Sequence, residues 1–357
     1  MKILSVVGAR PQFVKLAPVA HAMAGRVDHV IVHTGQHYDE LMSDVFFRDL
    51  GIPQPDANLA IGSGKHGAQT AAMIAGLEPL FEHYSPDWVL VYGDTNSTLA
   101  AAIVAAKLHL PVAHLEAGLR SFNRRMPEEH NRVLTDHSSD LLLAPTEVAM
   151  RHLAREGLSE RAVLVGDVMT DVLFSVRDQV LASEAAGIDG TEQGNYYVAT
   201  IHRPDNTDDP ARLSALVREL AHLDRPVMLL AHPRLRKLAA EYGIALTTGV
   251  LRAIDPLPYP RLVAAVMHSA GIITDSGGLQ KEAFLLRIPA TTIRPETEWV
   301  ETVELGWNVL ANDATAIAAA VHRPAPRASD AAPYGDGLAS RRVVDAITGW
   351  GAASNSR

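Results

Sequence analysis

The sequence predicts an α/β protein built from two doubly wound domains. Short apolar runs alternate with segments of helical spacing, which is typical of parallel sheets covered by helices. The alternation stops in a segment containing Gly and acidic residues, 184–195, and then restarts. The length of 357 residues also corresponds to two domains at ~150 residues each. We therefore expect domains over 1–168 and 169–337.

Composition limits the classes of function. The formal net charge is -9 and no basic stripe is present, so we expect no nucleic-acid partner. The absence of cysteine rules out disulfides, thiolate zinc sites and a cysteine nucleophile, and fits a reducing compartment. No apolar run approaches the ~20 residues of a membrane span, and the N-terminal run is too short for a signal peptide. We expect a cytoplasmic protein with no membrane partner.

In the first half, apolar runs predict strands that end at polar or glycine residues. These strands are predicted at residues 3–7, 27–34, 88–92, 111–115, 141–144 and 163–165. Helices are predicted at 12–23 and 39–50, from about 67 to 83, from 96 or 97 to 108, and from 127 onward. Pro11 suits the first turn of the first helix, because its missing N–H would be unpaired there in any case.

In the second half, the same criteria predict strands at 196–201, 226–230, 245–248, 271–274 and 289–293. A loop over 321–337 precedes a last helix, 338–350. Since ligands of open α/β sheets bind beyond the carboxyl ends of the strands, we expect the functional residues there. Two such sheets facing each other would place the active site in a cleft between the domains.

The stretch from Thr274 to Glu282 predicts a cradle for a nucleotide diphosphate. A buried strand ends at Asp275, the turn Ser276-Gly277-Gly278 follows, and a helix begins at about residue 279. A strand, a glycine turn and a helix together aim unpaired backbone N–H groups at an anion. Glu282 could accept hydrogen bonds from a ribose. By itself, this stretch also fits an ordinary glycine-capped turn.

Three carboxylates in the first half suggest proton transfer on a carbon skeleton. Asp94 and Glu116 directly follow apolar strands, and Glu128 stands at a helix start. Asp94 could instead cap a helix, and Glu128 could reflect the preference of acids for the first turn. Together they suggest carboxylates whose pKa values are separated by their environments.

Cations accompany both sets of residues. Arg10 and Lys15 lie near the end of the first strand, where they could bind a diphosphate or orient the carboxylates; two solvated cations are the alternative. His202-Arg203 follows a strand of the second half and is a plausible phosphate partner. Histidines 29, 33 and 37 lie on a strand and turn, so we expect no metal site.

Other catalytic motifs are missing from the sequence. It has no Gly-x-Ser-x-Gly elbow, no P-loop lysine motif and no complete Gly-x-Gly-x-x-Gly after the first strand. Hydrolase triads, ATP hydrolysis and dinucleotide oxidoreduction are therefore disfavoured, and we expect no cofactor.

These motifs closely resemble those of the non-hydrolysing UDP-N-acetylglucosamine 2-epimerase family, in the family's order and over nearly the whole chain. The matching pieces are Gly8-Ala9-Arg10-Pro11 with Lys15, Tyr92-Gly93-Asp94-Thr95, His114-Leu115-Glu116-Ala117-Gly118-Leu119-Arg120, Pro127-Glu128-Glu129 with Asn131-Arg132, Thr200-Ile201-His202-Arg203, Thr274-Asp275-Ser276-Gly277-Gly278 with Gln280 and Glu282, and Pro333-Tyr334-Gly335-Asp336-Gly337.

The resemblance implies the glycosyltransferase-B architecture, with two Rossmann-like domains facing a cleft. It implies that UDP is held mainly by the second domain, that the last helix (338–357) packs back onto the first, and that the protein is a homodimer. The implied reaction eliminates UDP from a UDP-sugar to give a 2-acetamidoglycal. UDP is then added back with the opposite configuration at C2.

The resemblance also implies a role for each matching residue. Asp94, Glu116 and Glu128 become the acid/base set with Lys15, and His202 contacts the departing phosphate. The substrate-binding residues are Arg10, Arg132, His202, Arg203, Ser276, Gly277, Gly278, Gln280 and Glu282.

Several positions depart from the family's pattern. Gln12 stands where a Glu is typical, Trp299 where an Arg is typical, and Asp39 where a Gln is often found. The segment 62–67 lacks the Gln and Arg that bind a second, activating UDP-N-acetylglucosamine in bacterial members. We therefore expect no such activation.

Other functions remain open at this point. The substrate could be a modified sugar such as UDP-2,3-diacetamido-glucuronic acid, or the enzyme could be a hydrolysing 2-epimerase that releases UDP. A glycosyltransferase needs an acceptor site but not three carboxylates for proton transfer. A catalytically silent nucleotide-sugar sensor would need only the Ser276 to Glu282 cradle.

Overall fold

A computed structural model describes residues 1–36, 51–183, 187–324, 326–327 and 330–354, but not the side chains of Arg10 and of 351–354. The chain forms two compact units. Unit 1 consists of Met1–Val172 with Ala332–Arg357, and unit 2 of Leu173–Ala331.

Unit 1 contains a parallel sheet of seven strands. They are β1 (Lys2–Val7), β2 (Asp28–His33), β3 (Ala57–Asn58), β4 (Trp88–Tyr92), β5 (Val112–Leu115), β6 (Leu141–Ala144) and β7 (Ala162–Leu164). Their order across the sheet is β3-β2-β1-β4-β5-β6-β7. The chain reverses direction across the sheet between β1 and β4, which is the point where such sheets bind ligands.

Helices cover both faces of this sheet. They are α1 (Arg10–Met23), α2 (His66–Tyr84), α3 (Asn96–Lys107), α4 (Pro127–Ser138), α5 (Glu147–Arg155), α6 (Val168–Ala182), which continues into the residues of unit 2, and α14 (Ala339–Ser354). Neighbouring residues of β1 point to opposite faces of the sheet and belong to two different cores. Ile3 packs in the core that contains α1 and α14, and Leu4 packs in the core that contains α2 and α3. Each such buried side chain contributes roughly 1.5–3 kcal/mol.

The last helix, α14, packs against α1 within unit 1. Asp171 caps it, because its carboxylate accepts hydrogen bonds from the backbone N–H groups of Ala339 (3.0 Å) and Ser340 (2.7 Å). An ion pair of 2.5 Å between Arg26 Nη2 and Asp345 Oδ1 also joins α14 to the turn that follows α1.

Unit 2 repeats the same topology in six parallel strands. They are β8 (Tyr197–Thr200), β9 (Val227–Leu230), β10 (Leu251–Ile254), β11 (Gly271–Thr274), β12 (Ala290–Thr292) and β13 (Asn308–Leu310), in the order β10-β9-β8-β11-β12-β13. Its helices are α7 (Pro204–Thr207), α8 (Pro210–Ala221), α9 (Pro233–Glu241), α10 (Tyr259–Met267), α11 (Gly277–Leu285), α12 (Val300–Glu304) and α13 (Ile317–Val321).

The predicted fold class, two doubly wound α/β domains, is confirmed. The strand predicted at 245–248 is wrong, since the edge strand is Leu251–Ile254 and alternates buried Leu251 with exposed Arg252. The short strands Ala57–Asn58 and Asn308–Leu310 were not predicted. The helix predicted at 39–50 lies outside the described residues. Within the described ranges, no helix combines the length and apolar character that crossing a membrane requires.

Candidate active site

A lysine–carboxylate pair lies at the switch point of unit 1. Lys15 is on the second turn of α1, and Glu116 directly follows β5. Lys15 Nζ forms an ion pair with Glu116 Oε2, and the two side chains are only 16% and 12% exposed. Burial acts to lower the pKa of Lys15, but the nearby carboxylates of Glu116, Asp94 and Asp167 outweigh it and raise the pKa above 10.5. Lys15 therefore carries a permanent positive charge among carboxylates.

Glu116 is held in an unusual backbone conformation. Its φ is 72°, in the left-handed region that costs a residue with a Cβ about 1 kcal/mol or more. Gly93, on the neighbouring turn after β4, provides room for the pair, because a Cβ there would lie 3.1 Å from Glu116 Oε2 and 3.3 Å from Lys15 Nζ. The backbone strain and the glycine both place Glu116 beside Lys15.

Asp94 is bound by an arginine rather than used as a helix cap. Its Oδ2 accepts a hydrogen bond of 2.5 Å from Arg132 Nη2. The cap of α3 is Thr95, whose hydroxyl oxygen accepts from the N–H of Thr98. The alternative interpretation of Asp94 as a cap is therefore wrong. Arg132 also contacts Glu129 at 3.0 Å, so one guanidinium links two carboxylates.

Glu129 anchors the loop that leads to Glu128. It accepts hydrogen bonds from the N–H of Ser121 (2.8 Å), the hydroxyl of Ser121 (2.9 Å) and the N–H of Phe122 (2.9 Å). Burial raises the pKa of Glu129, but these donors and Arg132 outweigh it and the pKa is lowered. Glu128 is half-buried at the start of α4 and has no side-chain hydrogen bond to another described residue. Its carboxylate is therefore available.

Sequence reasoning missed Asp136, which positions the turns that carry Asp94 and Glu116. Its buried carboxylate accepts from His114 Nδ1 (2.6 Å) and from the N–H of Gly118 (3.0 Å). His114 Nε2 in turn donates to the carbonyl of Gly93 (2.7 Å). Burial acts to raise the pKa of Asp136, but His114 and Arg120 lower it. Asp136 stands inside a helix, where sequence gives no sign of this role.

Gln12, a departure from the family's pattern, has a structural role. Its Oε1 accepts from the N–H groups of Gly8 (2.8 Å) and Ala9 (3.1 Å), and its Nε2 donates to the carbonyl of Tyr92 (2.8 Å). An ionised Glu could not make this last bond, because a carboxylate has no donor. The side chain of Arg10, predicted to bind substrate, lies outside the described residues.

In unit 2, a buried carboxylate positions His202. Asp275 has no exposed surface and accepts hydrogen bonds from the N–H groups of His202 and Arg203 and from Asn206 Nδ2. His202 Nδ1 lies 2.8 Å from Asp275 Oδ1. Burial raises the pKa of Asp275, but these donors lower it overall. Since Nδ1 faces Asp275 and the side chain is 51% exposed, His202 Nε2 is free to meet a ligand.

The predicted diphosphate cradle is the first turn of α11. The cap is Ser276, whose Oγ accepts from the N–H of Leu279 (3.4 Å). Among the described residues, no acceptor is found for the N–H groups of Gly277 and Gly278, as is usual for the first turn of a helix. They remain available to an anion.

The other two predicted residues of α11, Gln280 and Glu282, both have hydrogen-bond partners within unit 2. Gln280 is completely buried and accepts from Thr297 Oγ1 (2.6 Å), so it positions a loop instead of touching a ligand directly. Glu282 accepts from the hydroxyl of Tyr259 (3.0 Å), and burial raises the pKa of Glu282. Tyr259 was missed by sequence reasoning.

Arg203 borders a cavity of about 140 Å³ within unit 2. Its lining includes two further arginines, Arg212 and Arg294, and two carboxylates, Asp205 and Glu296. Arg203 thus belongs to a group of three arginines that adjoins the His202 turn.

Two Rossmann-like units of glycosyltransferase-B type, one with a glycine cradle and one with paired carboxylates, define a class of enzymes that act on nucleotide sugars. The family model for UDP-N-acetylglucosamine 2-epimerase matches residues 20–348. The chain belongs to the UDP-N-acetylglucosamine 2-epimerase family.

Relatives cover essentially the whole chain. A UDP-2,3-diacetamido-2,3-dideoxy-D-glucuronate 2-epimerase of Pseudomonas aeruginosa is 45% identical, over 97% of this chain and 99% of its own. The structure of the UDP-GlcNAc 2-epimerase from Methanocaldococcus jannaschii matches with a TM-score of 0.83 at 36% identity, covering 98% of this chain and 99% of that one. The Neisseria meningitidis enzyme bound to UDP-GlcNAc matches with a TM-score of 0.80 at 27% identity, covering 98% and 100%.

Proposed function

We propose that this chain is a non-hydrolysing UDP-N-acetylglucosamine 2-epimerase, which interconverts UDP-GlcNAc and UDP-ManNAc. The observation that carries the proposal is the carboxylate cluster at the switch point of unit 1. There Lys15 forms an ion pair with Glu116, and the charge of Asp94 also interacts with Lys15. Membership of the family supports the substrate class.

The reaction is an elimination followed by a re-addition. A carboxylate removes the proton from C2, the C1–O bond breaks, and UDP leaves with the bonding electron pair to give a 2-acetamidoglycal. UDP then adds back to C1 while a proton is delivered to the opposite face of C2. Because the C2 hydrogen is not acidic, the step needs a positioned base and donors that stabilise charge on the departing diphosphate.

Unit 1 supplies the proton chemistry in this proposal. Asp94, Glu116 and Glu128 form the acid/base set. Lys15 fixes Glu116, and Arg132 fixes Asp94. The carboxylate of Glu128, which has no partner among the described side chains, suits a group that changes its protonation state during the reaction.

Unit 2 binds the nucleotide. The N–H groups of Gly277 and Gly278 and the hydroxyl of Ser276 bind the diphosphate, with Arg203 as a further cation. Arg10, a residue of unit 1, is proposed as a further substrate-binding cation. Glu282 accepts hydrogen bonds from the ribose.

His202 contacts the phosphate that departs, and Asp275 orients its ring. Gln280 acts through the loop that it holds.

A second candidate is the 2-epimerisation of UDP-2,3-diacetamido-glucuronic acid. The relative from Pseudomonas aeruginosa bears the name of that activity and covers the whole chain. Trp299, in place of the usual Arg, also lies beside the cradle, since its Nε1 would be 3.4 Å from a Cβ at Gly277. A hydrolysing outcome, in which UDP is released, shares the elimination step.

We further propose that the enzyme works without an activating second UDP-N-acetylglucosamine. Gln36 Oε1 accepts from the hydroxyl (2.8 Å) and the N–H (3.1 Å) of Ser97, so this side chain already has partners in the protein. Rate curves should be hyperbolic. A sigmoidal rate curve that is lost when Gln36 or His37 is substituted would contradict this. His37 itself lies outside the described residues.

The finer assignments belong to the same proposal. We propose a cytoplasmic location, a role in polysaccharide biosynthesis and a homodimer, and the family resemblance supports the homodimer.

A panel of UDP-sugars, followed by proton NMR at C1 and C2 in heavy water, tests the function. The substrate should gain deuterium at C2 as it epimerises. An oxygen label in the C1–O–P bridge should scramble into the diphosphate, because the bond breaks and re-forms. Epimerised product with its bridging label in place would contradict the elimination, and stoichiometric release of UDP would indicate the hydrolysing relative.

A further inference from the structure

The loop that follows β12 is fixed against helix α11. Gln280 Oε1, inside the helix, accepts hydrogen bonds from Thr297 Oγ1 (2.6 Å) and Asn308 Nδ2 (3.1 Å). Thr297 Oγ1 also accepts from the N–H of Trp299 (3.1 Å). Residues 297–299 therefore have a defined position beside the first turn of α11.

This arrangement places a protein carboxylate at the diphosphate cradle. A Cβ built on Gly277 would lie only 2.2 Å from Glu298 Oε1, so the carboxylate occupies the space that the glycine leaves open. The other oxygen, Glu298 Oε2, is 2.8 Å from Arg294 Nη1. One carboxylate thus lies between the helix terminus and a guanidinium, which shows that an anion fits there.

Among the described residues, Arg294 has Glu298 as an ion-pair partner but fewer hydrogen bonds than a buried arginine requires. Its side chain is only 10% exposed, yet none of its five donors makes a well-aligned hydrogen bond to another described residue. A buried charge is stabilised only when it is paired and hydrogen-bonded. Arg294 also lines the cavity that Arg203 and Arg212 border. Arg294 is therefore a cation with unused hydrogen-bond donors, beside a cavity that two further arginines line.

The two members of the pair differ in their freedom to move. Glu298 is 46% exposed, so its carboxylate can turn toward water at little cost. Arg294 is buried and stays in place. An incoming anion with more charge than a carboxylate would repel Glu298 and take over both the guanidinium and the helix terminus.

We propose that Arg294 is a further diphosphate-binding residue and that Glu298 is the internal carboxylate that the diphosphate displaces. The proposal rests on the proposed function, because it takes UDP as the ligand of unit 2. A diphosphate fits better than a single carboxylate, since its oxygens can accept from the backbone N–H groups of α11 and from the guanidinium at once. Glu298 then keeps Arg294 paired until the nucleotide arrives.

Calorimetric titration of UDP into variants of the full chain tests both halves of the proposal. Arg294→Gln should weaken UDP binding roughly tenfold or more, the scale of a hydrogen bond to a charged group. Glu298→Gln should strengthen it several-fold, because the competing charge is gone. Uridine, which has no phosphates, should bind Arg294→Gln and the wild type equally.

Arg225→Gln is a matched control. It removes the same charge from unit 2 at an exposed residue that precedes β9, at the opposite end of the sheet from the cradle. It should bind UDP like the wild type. Melting temperatures of all variants report whether each is folded, and if Arg294→Gln does not fold, Arg294→Lys and Glu298→Gln still test the idea.

The outcomes separate the inference from the proposed function. A wild type that binds no UDP would contradict the proposed function. If the wild type binds UDP and Arg294→Gln (or, where that variant is unfolded, Arg294→Lys) binds it equally well, Arg294 is not a ligand. Unchanged or weaker UDP binding by Glu298→Gln would overturn the displacement, because that carboxylate would then not compete with the nucleotide.

Discussion

Units 1 and 2 share one topology but use charge in opposite ways. In both, the strand order reverses between the first and fourth strands, and polar residues follow the central strands. In unit 1 these residues are carboxylates matched with side-chain cations, as in the pairs of Lys15 with Glu116 and Arg132 with Asp94. In unit 2 the carboxylate Asp275 instead binds backbone N–H groups and a histidine.

The difference shows that the fold provides positions and the residues at those positions decide the chemistry. A carboxylate held beside a cation keeps its charge in a partly buried site and can exchange a proton with a substrate carbon. A buried carboxylate that orders a turn leaves the surrounding N–H groups and a histidine free for an anion. We expect substitutions in the two units to affect different steps.

The largest effect should come from Glu116→Gln in unit 1. Removing a positioned acid or base lowers kcat by ~10²-fold or more. UDP affinity should change little, because the proposed function assigns Glu116 to proton transfer and nucleotide binding to unit 2. Glu82→Gln, which neutralises an exposed carboxylate on α2, is the control and should leave kcat unchanged. Steady-state kinetics with UDP-GlcNAc measure both, and a Glu116→Gln enzyme with normal kcat would remove this residue from the acid/base set.

A smaller loss should follow from Asp275→Asn in unit 2. The amide no longer fixes the His202 ring as an anion does, so kcat should fall by ~10-fold or more. Asp208→Asn, at an exposed ion pair with Arg234, is the control. If Asp275→Asn kept the kcat of the wild type, Asp275 would not act on turnover through His202.

Glu282→Gln should affect binding more than turnover. UDP should bind more weakly by roughly 1.5–3 kcal/mol, since the ribose hydroxyls lose a charged acceptor. Burial raises the pKa of Glu282 above its usual value, and the ribose favours the ionised form. UDP affinity of the wild type should therefore decline as the pH falls through that raised pKa, whereas Glu282→Gln should lack this decline. Calorimetry at several pH values distinguishes the two.

The smallest effect on function, but a clear one on stability, concerns His29 in unit 1. Burial lowers the pKa of His29 from 6.5 to about 4, and Ser5 Oγ lies 2.8 Å from its Nε2. Between these pH values the unfolded chain binds the proton and the folded protein does not. Stability should thus be lost as the pH falls from 6.5 toward 4, by roughly 3 kcal/mol in total.

His29→Gln keeps a polar group beside Ser5 but does not titrate. Denaturant unfolding at a series of pH values should show a flatter profile for this variant than for the wild type. The same slope in both proteins would mean that the acid sensitivity arises elsewhere in the chain.

Much of the fold follows from apolar runs, because the strands of a parallel sheet are buried on both faces. The central strands Trp88–Tyr92 and Gly271–Thr274 are examples, and both were predicted. The edge strands were not predicted, because Leu251–Ile254 contains the charged Arg252 and Ala57–Asn58 has only two residues. Pairing with a neighbour, which the sequence does not display, defines such strands.

The candidate site was predictable where a residue directly follows a strand, as Asp94, Glu116 and Asp275 do. Asp136 was not, since it lies within α4 and acts on residues 18 and 22 positions away. Arg294 and Glu298 were not either, because only the packing of a loop on α11 brings their charges to the cradle. Long-range contacts of this kind leave no local signal.

The division of labour between the units is the central claim, and one paired measurement tests it most directly. UDP is titrated by calorimetry into Asp94→Asn and Glu282→Gln, and single-turnover rates are measured on the same preparations. We predict that Asp94→Asn binds UDP normally but turns over ~10²-fold or more slowly, whereas Glu282→Gln shows the larger loss in UDP affinity. Loss of UDP binding in Asp94→Asn together with normal binding in Glu282→Gln would contradict the claim.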